Sequence, residues 1–87
     1  MVHIEYDREF EKQAANLDAP LRKKLSILLT LMAENPYDPR LHTKPLSEPF
    51  AGVLSFRITR DWRVTFHFLS STSVRLLEVR HRKDIYR

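Results

Sequence analysis

Four arginines, Arg57, Arg63, Arg80 and Arg82, stand where paired strands would gather them onto one surface. Guanidinium groups bind phosphate oxygens in bidentate fashion and stay charged at any physiological pH, so such a cluster suits a phosphate or polyanion. His67 and His81 in the same half add side chains able to exchange a proton near neutrality. The chain has no cysteine, which removes thiolate nucleophiles, disulfides and cysteine-ligated zinc together.

The elements that would carry these residues follow from spacing. Val2, Ile4 and Tyr6 alternate with polar residues and predict a short strand over 2–6. Asp7 fits the N-cap of a helix running to about Leu17, with Phe10, Ala14 and Leu17 on one stripe. Asp18-Ala-Pro restarts a helix, since proline in a first turn lacks only an N–H that has no partner there. Leu21, Leu25, Leu28 and Met32 give it one apolar face, and Asn35-Pro36 ends it. Residues 36–51 hold four of the five prolines together with Arg40, His42 and Lys44, and read as an ordered connecting loop with a short turn near Ser47–Phe50. Gly52, the only glycine, opens the next element. Strands follow at about 53–59, 62–69 and 73–80. The order is β-α-α-β-β-β, an α+β fold with a helical pair packed on one face of a small, mostly antiparallel sheet.

Alternation sorts each strand into an inner and an open face. Leu54, Phe56 and Ile58 point inward, as do Trp62, Val64, Phe66 and Phe68. Ser55, Arg57, Thr59, Arg63, Thr65 and His67 point outward. In the last strand Leu77 and Val79 are expected inside and Leu76, Glu78 and Arg80 outside, while His81 has the inward parity. Short turns at 59–61 and Ser71-Thr72 would set Arg57 opposite Arg63, Arg63 opposite Arg80 and Thr65 opposite Glu78. Two unit charges ~5 Å apart at an effective dielectric of ~20 repel by roughly 3 kcal/mol, so the row calls for an anion. An open-face arginine is also expected to contribute little to packing.

Eighty-seven residues suffice for one domain spanning 1–87, with a core small enough that a partner could add much of the effective stability. The formal charge is +4, but residues 1–39 carry 5 Lys/Arg against 7 Asp/Glu, and residues 40–87 carry 10 against 4. The second half therefore faces a polyanion. No basic stretch followed by an apolar run opens the chain, and Ile27–Ala33 is too short to span a bilayer. A cytoplasmic location is expected.

Phe50-Ala-Gly-Val-Leu-Ser-Phe-Arg-Ile, Asp61-Trp-Arg-Val-Thr-Phe and Val79-Arg-His-Arg-Lys-Asp-Ile-Tyr-Arg, in that order, resemble the RelE/ParE toxin superfamily. In its RelE branch the resemblance implies the toxin of a type II toxin–antitoxin pair. Such a toxin is a ribosome-dependent endoribonuclease that cuts mRNA in the decoding site and is held by an acidic antitoxin. The RNA 2′-hydroxyl is the nucleophile, so neither metal nor cofactor is implied. The reaction needs a base, cations for the phosphorane and an acid for the leaving 5′-oxygen. By position, Arg63 would stabilise the phosphate, Arg82 serve the leaving group, and Tyr86 orient or stack on a base. Arg57 falls at one of a pair of family lysines and Ser55 at the other. Arg80 stands where relatives often have glycine. Arg57, Arg80, Lys83, Lys44 and Ser55 complete the expected RNA-binding set. His67, sharing the open face with Arg63, is the first candidate for the base, with His81 and Tyr86 as alternatives. The ParE branch implies a DNA gyrase inhibitor instead, and a non-catalytic basic binding module would use the same surface.

Overall fold

The computed structural model describes residues 1–47 and 49–85. Strand β1 (His3–Tyr6) leads into helix α1 (Arg8–Ala15) and helix α2 (Ala19–Glu34). A 3-10 turn (Pro39–Leu41) and the two-residue strand β2 (Lys44–Pro45) precede β3 (Leu54–Arg57), β4 (Trp62–Ser70) and β5 (Ser73–His81). A short helix, α3 (Arg82–Ile85), follows. The sheet order is β1-β5-β4-β3-β2, with β1 parallel to β5 and every other pair antiparallel.

Local chemistry explains the boundaries. The Asp7 carboxylate accepts the Glu9 amide at 3.0 Å, and that of Asp18 accepts the Leu21 amide at 3.1 Å. Each satisfies an amide that a helix start leaves without an intrahelical partner. Helix α1 ends at Ala15 rather than Leu17, because the amides of Asn16 and Leu17 turn back to the carbonyls of Gln13 and Ala14. The turn expected at Ser47–Phe50 is present, and Val53 then closes a second turn onto the Phe50 carbonyl. Gly52 lies inside that turn with φ +85°, a conformation that favours glycine. Strand β3 is shorter than expected: the amides of Ile58 and Thr59 both turn to the Trp62 carbonyl. The sequence reading did not anticipate β2, the 3-10 turn or α3.

Helices and sheet share one core. Phe10, Leu25, Leu28 and Met32 meet Phe56, Ile58, Val64, Phe66, Val74, Leu76 and Val79, all buried. Each such side chain contributes about 1.5–3 kcal/mol on leaving water.

The expected pairings Arg57–Arg63, Arg63–Arg80 and Thr65–Glu78 are all present. Between Thr65–Glu78 and Phe66–Leu76, however, β5 carries one extra residue, Leu77. This bulge reverses the expected direction of two side chains: Leu76 is fully buried, and Leu77 lies on the outer face beside Thr65 and Glu78. The cause is packing. Val74, Leu76 and Val79 cannot all point inward on a strict period of two, and one extra residue restores their common direction. Nearer the turn, Leu69 is the matching extra residue on β4, so the ladder is back in its first register at Ser70–Ser73.

Candidate nucleic-acid interface

The outer face of the sheet carries two adjacent rows. Cα partners in register give Arg57, Arg63 and Arg80 on β3, β4 and β5. Two residues along, Lys44, Ser55, Thr65 and Glu78 run across β2 to β5. Neighbouring strands lie ~4.8 Å apart, so the three guanidinium-bearing side chains of the first row are close neighbours. Glu78 Oε2 accepts from Arg80 Nε at 3.1 Å and Nη2 at 2.9 Å. Arg63 Nη2 donates to the Arg60 carbonyl at 3.3 Å. The Arg57 Nε is buried with no partner among the described residues.

This face is less open than alternation alone suggests. Ser55 is 1% exposed, Arg63 4% and Thr65 6%. The expectation that Arg63 contributes little to packing is therefore corrected. Leu46, Phe50 and Val53 of the β2–β3 connection lie over this part of the sheet, and the Leu46 amide donates to the Val53 carbonyl at 2.9 Å. Between loop and sheet runs a cleft of about 260 Å³, lined by Leu46, Phe50, Val53, Thr65, Leu77, Glu78, Arg80 and Asp84. Sequence reasoning missed this cleft. Its one signal was the Leu76-Leu77 doublet, in which only one leucine can face the core.

Helix α3 is fixed to the end of the arginine row. The Arg82 amide donates to the Asp61 carbonyl at 2.6 Å. Arg82 and Lys83 are both exposed and begin α3 rather than simply extending the strand. His81 pairs with Trp62 across the ladder, its ring edge-on to the indole with centroids 5.3 Å apart. Its Nδ1 accepts the Lys83 amide at 3.3 Å. A ring nitrogen that accepts an N–H carries no proton, so the neutral ring holds its hydrogen on Nε2 and is a donor there. His67 shares the outer face with Arg63 but lies four positions along β4, roughly 14 Å at ~3.4 Å per residue. Its partner is Arg75, which binds Glu5 at 3.2 Å and Asp7 at 3.4 Å. The structure thus gathers Arg57, Arg63, Arg80 and Arg82, sets Lys44 beside Ser55 one row away, and keeps His67 apart. Tyr86 lies outside the described residues.

A helical pair on one face of this five-stranded mixed sheet is a RelE-like fold. YafQ from E. coli strain BL21(DE3) superposes over 100% of both chains with a TM-score of 0.76 at 22% identity. The YoeB/ParE toxin from Agrobacterium tumefaciens gives 0.77 at 19% identity, over 94% of this chain and 99% of its own. A chain of the RelBE2 toxin–antitoxin complex from Mycobacterium tuberculosis gives 0.69 at 20% identity, over 93% and 98%. No family model and no curated sequence matches the chain. Among the described residues no helix is long and apolar enough to cross a membrane.

Proposed function

We propose that this chain is the toxin of a type II toxin–antitoxin pair and cleaves mRNA on the ribosome. The observation that carries the proposal is the Arg57–Arg63–Arg80 row, with Arg82 held just beyond it by the Asp61 carbonyl. Three guanidinium groups on adjacent strands present convergent donors, and a phosphate group accepts from such donors in bidentate fashion. In the reaction the RNA 2′-oxygen attacks the adjacent phosphorus and the bond to the 5′-oxygen breaks. The products are a 2′,3′-cyclic phosphate and a 5′-hydroxyl. Arg63, flanked by two further guanidiniums, stabilises the charge that builds on the phosphorane oxygens. Arg82 serves the leaving 5′-oxygen. With its Nδ1 engaged by the Lys83 amide and its hydrogen on Nε2, neutral His81 offers RNA a hydrogen-bond donor and no free basic nitrogen, and His67 is too distant to share a phosphate with Arg63. Tyr86 and electrostatic activation of the RNA by the arginines are then the better accounts of how the 2′-hydroxyl loses its proton. Similar structures include YafQ with DinJ and YoeB with YefM, which supports an antitoxin partner for this chain.

The test is primer extension on ribosomes programmed with a defined message. Discrete breaks at the decoding site are expected with the wild-type chain. An uncut message, together with DNA breaks that depend on gyrase, would move the chain to the ParE reading.

A further inference from the structure

We propose that the cleft beside the arginine row is a nucleobase pocket selective for guanine in single-stranded RNA. The inference rests on the reading of the chain as an RNA-cleaving toxin and names what that site reads. The cleft holds Leu46, Phe50 and Val53 on the loop side and Thr65, Leu77, Glu78 and Arg80 on the sheet, with Asp84 of α3 completing it. Its volume of about 260 Å³ accommodates one base. Phe50 is 48% exposed although it lines the cleft, which leaves an aromatic surface for stacking.

Charge divides the labour between the two rows. The arginine row gathers positive charge, whereas the cleft brings two carboxylates, Glu78 and Asp84, against one guanidinium. A phosphate is thus favoured on the row and N–H donors in the cleft. The Thr65–Glu78 pair lies two residues from Arg63–Arg80, roughly 7 Å, within the reach of a single nucleotide. Arg80 belongs to both places and holds Glu78 Oε2, which fixes the carboxylate while leaving lone pairs on both of its oxygens. Guanine alone among the four bases presents two adjacent donors, N1–H and N2–H, on one edge, and so matches a carboxylate in bidentate fashion. The bulge at Leu77 creates this site, because a regular strand would turn that side chain away from the cleft.

The test is titration of the purified full chain with GMP, IMP, AMP, CMP and UMP, followed by NMR. GMP is expected to shift the resonances of Phe50, Leu77 and Glu78 and to bind on the order of ten-fold more tightly than AMP. IMP, which lacks the N2 amino group, should fall between them. Glu78→Gln should collapse the preference for GMP over AMP. Phe50→Ala should weaken all five ligands and keep their order. Equal affinities, an unchanged preference in Glu78→Gln, or cleft resonances that respond to an acidic peptide and to no nucleotide would overturn the proposal. A chain that selects GMP without cutting ribosomal mRNA would refute the catalytic reading alone. A chain that cuts mRNA with no guanine preference would refute the pocket alone.

Discussion

At the scale of single residues, the central feature is a charged side chain held almost out of solvent. Arg63 is 4% exposed in the middle of an arginine row, so its side chain contributes to packing. Arg63→Ala is expected to lower unfolding free energy by about 1–3 kcal/mol, a cost that denaturant melts would measure. Arg57 should behave in the opposite sense. Its Nε has no partner among the described residues and its neighbour across the ladder carries like charge. Arg57→Thr should raise the melting temperature of the free protein while weakening RNA binding, a trade between stability and function. An unchanged or lower melting temperature would show that the row carries no repulsive cost. For His81, nitrogen NMR should find Nδ1 unprotonated and Nε2 protonated in the neutral ring. His81→Asn should hold α3 better than His81→Phe, because asparagine retains an acceptor for the Lys83 amide.

At the scale of elements, local carboxylates set several boundaries and one of them sets a pH dependence. Asp38 is held down to about 2 from 3.8 by the Arg40 side chain and then by the Arg40 amide. A carboxyl depressed in the folded state adds stability that is fully present above its unfolded value. That contribution fades as pH falls from 3.8 through about 2. The stability difference between wild type and Asp38→Asn should therefore shrink over that window and be constant above it. Much of this level was legible in the sequence. Asp7 and Asp18 cap as read, and the turns at 59–61 and Ser71-Thr72 place the arginines opposite one another. What alternation could not deliver was the direction of Leu76 and Leu77, because either leucine satisfies the inner face until Val74 and Val79 are both required there. Nor could it reveal that Leu46, Phe50 and Val53 overlie the outer face, since that contact joins residues with no shared period. Deleting Leu77 should preserve the Val64–Val79 pairing, whereas deleting Arg75 should force Val74 or Leu76 outward. Cross-strand NOEs would distinguish the two.

At the scale of the molecule, an acidic first half carries a basic second half, net −2 against +6, and the basic half holds β3, β4 and β5. A partner that supplies carboxylates to the outer face both neutralises it and stabilises a small core. At a hundredfold excess over its Kd such a partner adds about 2.7 kcal/mol. Co-expression with its neighbouring reading frames should recover an acidic polypeptide bound to the chain. RNA binding should weaken steeply with salt, since several phosphate contacts release counterions. The most direct measurement is the single-turnover rate of mRNA cleavage on programmed ribosomes by wild type and Arg63→Ala, with the folded fraction of each determined in parallel. The account predicts a loss of roughly 10²–10³ in rate per folded molecule, the scale expected when a donor to a developing oxyanion is removed. Equal rates per folded molecule would contradict it and leave the arginine row without a part in the chemistry.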